Sequence, residues 1–210
     1  MAAKVCAFTG HRAKKLPWGF DESDPRCLQL KAKLYSVVET LCETGIDRFI
    51  CGMANGCDLY FAEAVLMLQE HFPDIALEAA VPFPGQADRW SDREKQRYHD
   101  ILSRCATVTV VAPEYTRFCM IERNRLMVEL CDVLLACYDE GTGGTLSTLR
   151  MAIREDKEVI IVPIVGEELG VRRALQKPSP REKPGRTVFC FKGFPWGKLS
   201  AKLTDEGEVG

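Results

Sequence analysis

Short apolar runs alternate with longer amphipathic segments along most of this chain, and this alternation constrains its fold more than any other feature. The apolar runs predict six strands, at residues 4–8, 46–51, 75–81, 107–112, 133–138 and 159–165. The intervening segments predict helices at residues 26–43, 57–71, 92–104 and 120–130, and a fifth that ends near residue 155. Strands separated by helices are typical of βαβ units. We therefore expect an α/β fold with a doubly wound, mostly parallel sheet of about six strands and helices on both faces.

Charge is divided unevenly along the chain. The 210 residues include 28 Lys and Arg and 30 Asp and Glu, a net charge of −2, which argues against the uniformly basic surface of a nonspecific nucleic-acid binder. Residues 171–203 nevertheless contain nine basic residues and one acid, so they carry +8 and the rest of the chain carries −10. We expect a domain at residues 1–165 and a basic, partly mobile C-terminal extension at 166–210. By default the extension docks onto its own domain, where 187–191 could add a strand.

Hydropathy and cysteine spacing exclude several protein classes. No apolar run approaches the ~20 residues of a membrane helix, and residues 1–9 lack the features of a signal peptide, so we expect a cytoplasmic protein without a membrane segment. The ten cysteines contain no C-x-x-C pair. This spacing favours buried, reduced thiols over a disulfide framework, and zinc is the less favoured alternative because only three histidines are present. We predict neither a metal site nor a cofactor.

Three turns follow predicted parallel strands and should meet at the carboxyl edge of the sheet, where open α/β folds bind ligands. The first consists of Thr9, Gly10, His11 and Arg12. Its glycine permits close backbone approach, its threonine can hydrogen-bond phosphate or ribose, and its arginine offers a planar fork to an anion. His11 could act as an acid or base near neutral pH, although a hydrogen bond within the turn is slightly favoured.

The second turn lies at the start of a predicted helix and contains Gly52, Gly56 and Asp58. Exposed amides at a helix N-terminus bind anions, and glycines four residues apart leave room for a ligand. A carboxylate competes with phosphate for the same positive helix end. Asp58 is therefore interpreted either as a ribose ligand or as a helix cap.

The third turn is the most informative one, because it places Gly141, Gly143, Gly144 and Thr145 between a buried strand and a helix. Three glycines with flanking hydroxyls can form an anion-binding nest of backbone N–H groups. The turn is neither a P-loop nor a G-x-G-x-x-G motif. A ligand-binding turn is therefore favoured over a generic tight turn.

A charged quartet, residues 122–125, lies on the helix that enters the fifth strand. Such a quartet is normally a solvated helical face. Because apolar residues flank it on the same helix, some of the four side chains should point toward the sheet edge. Arg123 or Arg125 could then neutralise a phosphate that lies over Gly143 and Gly144.

Four ordered strings carry a resemblance to a known family. They are C-A-F-T-G-H-R at 6–12, G-M-A-N-G-C-D at 52–58, E-R-N-R-L-M-V at 122–128 and G-T-G-G-T at 141–145. Together they resemble the YpsA-like proteins of the SLOG superfamily, which is related to DprA and to the LOG enzymes. The resemblance spans about residues 4–165. It implies a Rossmann-like fold with a pocket for a nucleotide or nucleotide-derived ligand at these loops.

The resemblance also bears on catalysis. LOG enzymes hydrolyse the N-glycosidic bond of nucleoside monophosphates with an arginine and a glutamate, and Arg123 resembles that arginine. Ser147 and Thr148 stand where the paired acids would lie. Because an oxocarbenium-like transition state needs a carboxylate, the LOG mechanism is disfavoured. Asp58, Glu122, and residues 139 and 140 remain as substitutes, and Glu122 with Arg123 forms our candidate catalytic pair.

The favoured prediction is therefore a protein that binds a nucleotide-derived small molecule as a sensor or processing protein. We expect a homo-oligomer by resemblance. A hydrolase of an N-glycosidic bond and a DprA-like role on single-stranded DNA through 171–203 are the alternatives, and the nucleic-acid partner is not favoured. The predicted ligand-binding residues are Thr9, Gly10, His11, Arg12, Gly52, Gly56, Asp58, Arg123, Asn124, Gly141, Gly143, Gly144 and Thr145.

Overall fold

The computed structural model describes residues 4–139 and 141–166, and these form one six-stranded parallel sheet with helices on both faces. Its strands are β1 (Val5–Gly10), β2 (Arg48–Cys51), β3 (Ala76–Val81), β4 (Thr107–Val110), β5 (Val133–Cys137) and β6 (Glu158–Val162). Its helices are α1 (Pro25–Glu43), α2 (Cys57–Leu68), α3 (Asp92–Ser103), α4 (Cys119–Leu130) and α5 (Gly144–Arg154). The expected α/β, Rossmann-like fold is confirmed. The predicted basic extension and its strand at 187–191 lie outside the described residues.

The strand order is β4-β3-β2-β1-β5-β6, and every pair is parallel. The chain first builds outward from β1 to β4 and then returns to the other side of β1 with β5. Reversal of direction beside β1 creates the switch point at which open α/β sheets hold ligands. β6 is an edge strand of the sheet, and Pro163, which cannot donate to a strand ladder, follows it directly.

Local sequence signals explain where several helices begin. Asp24 accepts a hydrogen bond from the Arg26 backbone N–H, and Pro25 occupies the first position of α1, where a missing N–H costs nothing. Helix α3 begins with a capping box, in which Ser91 and Glu94 bond each other's backbone N–H groups. The helix predicted at 57–71 ends earlier, at Leu68, and residues 69–71 form turns before Pro73.

The core has two layers, one on each face of the sheet. The larger layer packs α1, α2 and α3 against side chains such as Phe8, Phe49 and Leu77. The smaller layer packs α4 and α5 against the opposite face. Nine cysteines fall within the described residues, all as free thiols and eight of them buried. None of the helices in the described part of the chain has the length and hydropathy to cross a membrane.

Candidate functional site

A cavity of about 320 Å³ opens at the carboxyl edge of the sheet, above β1 and between the first turns of α4 and α5. The loops after β1, β2 and β5 and the first half of α4 supply its walls. The lining residues are Phe8, Thr9, Gly10, His11, Arg12, Lys15, Ala54, Asp58, Met120, Arg123, Asn124, Met127, Thr142, Gly144 and Thr145. Its position matches the switch point of the sheet.

The loops after β1 and β2 are joined through their backbones. Arg12 and Gly56 form an isolated antiparallel bridge, and the Cys57 N–H donates to the His11 carbonyl at 3.1 Å. Gly56 has φ +104°, and a Cβ there would lie 2.5 Å from the backbone nitrogen of Ala13. Only glycine fits both the conformation and the close approach, so Gly56 shapes the floor of the site without contacting the cavity.

His11 and Thr145 connect the first loop to α5. The Thr145 hydroxyl donates to the Gly10 carbonyl at 3.1 Å, and Nδ1 of His11 lies 3.3 Å from the same hydroxyl oxygen. Burial, assisted by the charge of Lys15, lowers the pKa of His11 below its ordinary value of 6.5. The imidazole therefore favours its neutral form at neutral pH, and an anion bound beside it would raise the pKa of His11.

Arg123 is a buried cation in the wall of the cavity. Its side chain is 8% exposed, Nη1 lies 3.7 Å from Oδ2 of Asp58, and its buried Nε has no hydrogen-bond partner. The guanidinium lies directly over Gly52, where any Cβ would overlap Nη1. Gly52 therefore contributes space for Arg123 and does not line the cavity.

Asp58 lies in the first turn of α2 and is also buried. Oδ2 accepts the Ala54 N–H at 3.1 Å and faces Arg123. Burial raises the pKa of the carboxyl, and the charge of Arg123 opposes that rise. Asp58 thus holds its own loop closed and positions Arg123; its side chain makes no cap hydrogen bond at the start of α2, and ribose binding stays a prediction.

The loop after β5 leads into the N-terminus of α5. Gly143 precedes the helix with φ +133°, and the space around a Cβ on Gly144 is open. Lys15 reaches across from the short 3-10 helix Ala13–Lys15 and donates to the Thr142 carbonyl at 3.0 Å. The first amides of α5 therefore face the cavity beside a lysine, an arrangement suited to an anion.

The structure brings most of the predicted ligand-binding residues together and separates a few from the cavity. The predicted residues that line it are Thr9, Gly10, His11, Arg12, Asp58, Arg123, Asn124, Gly144 and Thr145. Gly52, Gly56, Gly141 and Gly143 do not line it. Glu122 is exposed and does not line it either, which corrects the geometry expected of a catalytic pair, because adjacent helical residues point about 100° apart.

Two other polar candidates have structural partners. Both Asp139 oxygens accept backbone N–H groups, from Ile164 at 3.1 Å and Val165 at 3.3 Å. Thr148 is fully buried and donates to the Gly144 carbonyl within its own helix. Sequence reasoning missed Lys15, which no motif contains; the only signal was a pair of basic residues shortly after the first turn.

A second, larger groove of about 910 Å³ lies among α1, α2, α3 and the loop before α1. Ion pairs occupy it: Arg97 binds Glu63 and Glu22 at 2.6 Å each, and Lys31 binds Glu22 at 2.5 Å. Its charged groups are thus largely matched to one another. The smaller cavity is the better candidate because its cations outnumber its carboxylates.

Comparison with known proteins agrees with this geometry. A family model described as the YspA SLOG family matches residues 6–164. The chain belongs to this family. It is 31% identical over 182 residues to a UPF0398 protein of Bacillus pumilus, covering 86% of this chain and 97% of the relative. A UPF0398 protein of Bacillus cereus is 30% identical over 148 residues, covering 68% and 78% of the respective chains.

Two solved structures share the fold. DNA processing protein A (DprA) from Streptococcus pneumoniae aligns with a TM-score of 0.54 at 18% identity over 77% of this chain. DprA from Helicobacter pylori, in a structure concerned with its single-stranded DNA binding mode, aligns with a TM-score of 0.52 at 16% identity over 76% of this chain. This chain spans 50% of the first protein and 65% of the second.

Proposed function

We propose that this protein binds a nucleotide or a nucleotide-derived small molecule in the cavity above β1. The phosphate lies over the first amides of α5, at Gly144 and Thr145, with Arg12 and Lys15 at the mouth of the cavity and Arg123 in its wall. Membership of a SLOG family and the fold shared with DprA support a nucleotide or DNA ligand at a general level. The cavity volume lies near the lower end of the range for small-molecule sites, so it suits a phosphate and sugar better than a whole dinucleotide.

The buried guanidinium of Arg123 carries this proposal. A buried cation is costly unless its charge and its N–H groups find partners, yet Asp58 is 3.7 Å away and Nε has none. An anion in the cavity supplies the missing hydrogen-bond partner and counter-charge, which explains why this arginine lies in the cavity wall. Arg12 and Lys15 raise the positive potential of the same cavity, and Asp58 is its one carboxylate among the described residues.

Hydrolysis of an N-glycosidic bond receives less support from this geometry. Such a reaction needs a carboxylate that can reach a sugar carbon or activate water. Asp58 accepts a backbone N–H and faces Arg123, while Glu122 points to solvent. We therefore favour binding without hydrolysis. Release of free base from adenosine 5′-monophosphate, lost in Arg123→Lys, would reverse this preference.

Single-stranded DNA is the second candidate ligand. The H. pylori DprA structure concerns binding of this ligand, and residues 171–203 of the present chain carry +8. Binding through those residues should weaken steeply with salt, because each neutralised phosphate releases counterions. Deletion of residues 171–210 should abolish it. A salt-independent affinity, or one retained after the deletion, would contradict this candidate.

Isothermal titration calorimetry of the full chain tests the main proposal. The probes are ribose 5-phosphate, adenosine 5′-monophosphate and ADP-ribose. We expect Arg12→Ala to weaken binding of all three by about 10-fold or more, because a charge-assisted hydrogen bond is worth about 1.5–3 kcal/mol. Arg125→Ala is the matched control, since it removes the same charge from an exposed position on α4 that does not line the cavity.

Two outcomes would count against the proposal. The first is no detectable heat with any of the three probes in the wild-type chain. The second is an equal loss of affinity in Arg12→Ala and Arg125→Ala, which would indicate long-range charge attraction instead of contact in the cavity. Assembly into a homo-oligomer also remains a proposal, and sedimentation velocity with and without a bound probe measures it directly.

A further inference from the structure

Exposed aromatic side chains lie in the loops that follow β3 and β4, at the same edge of the sheet as the cavity. Tyr115 is 66% exposed, and its ring meets that of Phe83 edge to face with centroids 5.4 Å apart. Phe118 is 50% exposed, and the guanidinium of Arg117 lies over its ring at 4.5 Å. We call the Tyr115–Phe83 pair, with Phe118 and Arg117 next to it, the aromatic platform. Contiguous exposed apolar patches, unlike single exposed residues, mark binding surfaces.

Hydrogen bonds tie one half of the platform to the cavity wall. The side-chain amide of Gln86, in the same turn as Phe83, donates to the Gly52 and Met53 carbonyls at 3.2 and 2.7 Å. Gly52 lies directly beneath the guanidinium of Arg123. The loop that presents Phe83 is thus held against the backbone that supports the buried cation.

The chain that follows Tyr115 holds the other half. Thr116 accepts the Cys119 N–H through its hydroxyl at 2.9 Å and so fixes the turn into α4. Met120, five residues after Tyr115, lines the cavity and lies 3.7 Å from Nη2 of Arg12. Phe83 follows β3 and Tyr115 follows β4, so the platform lies at the same edge of the sheet as the cavity, on the side of β1 away from α5. Strand spacing places β3 about 10 Å and β4 about 14 Å from β1, and the chain from Tyr115 to Met120 crosses this gap to reach the cavity.

We propose that the aromatic platform receives an unpaired nucleobase, stacked on the open face of Tyr115, while the phosphate of the same ligand occupies the cavity. This inference rests on the proposed function and adds a second subsite to it. Aromatic rings recognise nucleobases through stacking, and an adjacent arginine adds a cation–π contribution. The edge-to-face contact with Phe83 covers at most one face of the Tyr115 ring, and Tyr115 is 66% exposed, so a ring face remains accessible. The base belongs either to a mononucleotide or to single-stranded nucleic acid, since both present the same π-face.

Calorimetry with matched probes tests the platform. Ribose 5-phosphate carries the phosphate and sugar alone, adenosine 5′-monophosphate adds a base, and an oligothymidine without a 5′-phosphate presents bases in a strand. We expect Tyr115→Ala to weaken binding of adenosine 5′-monophosphate by roughly 5- to 150-fold and to leave ribose 5-phosphate within about twofold. Tyr115→Phe should retain the affinity. Phe20→Ala is the control, since Phe20 is 56% exposed and lines the other groove.

The outcomes separate this inference from the proposed function. If ribose 5-phosphate binds but adenosine 5′-monophosphate binds no better, the platform is refuted while the cavity stands. If ribose 5-phosphate does not bind and Tyr115→Ala still weakens oligothymidine, the platform stands and the proposed phosphate site fails. If Tyr115→Ala changes neither base-containing probe, or only dissociates an oligomer in sedimentation velocity, the platform is refuted.

Discussion

The substitution Gly52→Ala tests whether Gly52 exists to make room for Arg123. The backbone of Gly52 is not in the left-handed region, so alanine brings no conformational strain of its own. Its methyl group would nevertheless overlap Nη1 of Arg123 and lie 3.0 Å from Oδ2 of Asp58. The guanidinium must then leave its place in the wall, and Asp58 remains buried without a counter-charge.

The expected cost follows from that unpaired carboxylate. Removal of one partner of a buried ion pair costs about 3–5 kcal/mol. In a chain of this length, 1 kcal/mol corresponds to about 2–4 °C in Tm, so Gly52→Ala should lower Tm by about 6–20 °C. Urea unfolding followed by circular dichroism measures the free energy, and calorimetry with ribose 5-phosphate should show loss of binding. Gly144→Ala is the matched glycine control for the unfolding measurement alone, because a Cβ there meets open space and the helix gains stability, whereas Gly144 lines the proposed phosphate site.

A double-mutant comparison tests whether the cost of Gly52→Ala comes from its clash with Arg123. In an Arg123→Met background a flexible apolar side chain replaces the guanidinium, and the ion pair is already lost. Gly52→Ala should then cost less than about 1 kcal/mol, since contacting residues couple strongly. An equal cost of Gly52→Ala in the wild-type and Arg123→Met backgrounds would refute the assigned role of Gly52.

Three further predictions follow from the same structure. Gly56→Ala should destabilise the fold by more than Gly19→Ala in urea unfolding, because both have positive φ but only Gly56 would also bring a Cβ against backbone; equal costs would contradict the close approach. Because the pKa of His11 is lowered in the folded protein, the unfolded chain takes up a proton at a higher pH than the folded chain does. The free energy of unfolding should therefore fall as the pH drops below 6.5 and level off below the pKa of the folded state. The substitution His11→Asn should reduce this pH dependence. Burial raises the pKa of the half-buried Cys105 to about 11, so its thiol should be alkylated slowly in the native protein. Peptide mapping should nevertheless show Cys105 labelled before the eight buried thiols, and faster labelling of any of those eight would refute the packing.

The sheet and the position of the site could be predicted from the sequence for a simple reason. Periodicity fixes which segments are strands, and in a parallel sheet all of their carboxyl ends lie at one edge. Thr9, Gly10 and Thr145 therefore had to lie near one another once β1 and β5 were recognised. The adjacency of β1 and β5 and their register, in which Gly10 pairs with Cys137, come from the structure.

The features that could not be predicted depend on the rotation of a helix about its axis and on contacts between residues far apart in the sequence. Whether Glu122 or Arg123 faces the cavity depends on the rotation of α4 about its axis, which the apolar pattern alone left open. Lys15 reaches Thr142 from 127 positions away in the chain, and no local motif encodes such a contact. Gly52 carries the typical sequence of a ligand-binding turn, but its role is to accommodate a side chain of the protein itself.

The central position of β1 also has a consequence for how the site is made during synthesis. β1 pairs with β2, as in Val5 with Arg48, and with β5, as in Cys6 with Val133. A chain that emerges from the ribosome N-terminus first can pair β1 with β2 early, whereas the other edge of β1 stays unpaired until β5 has been translated. The amides of α5 are made later still, so a nascent chain displays Arg12 and the loop after β2 before the proposed phosphate site exists. Under the proposed function, ligand binding therefore requires that translation has passed residue 145.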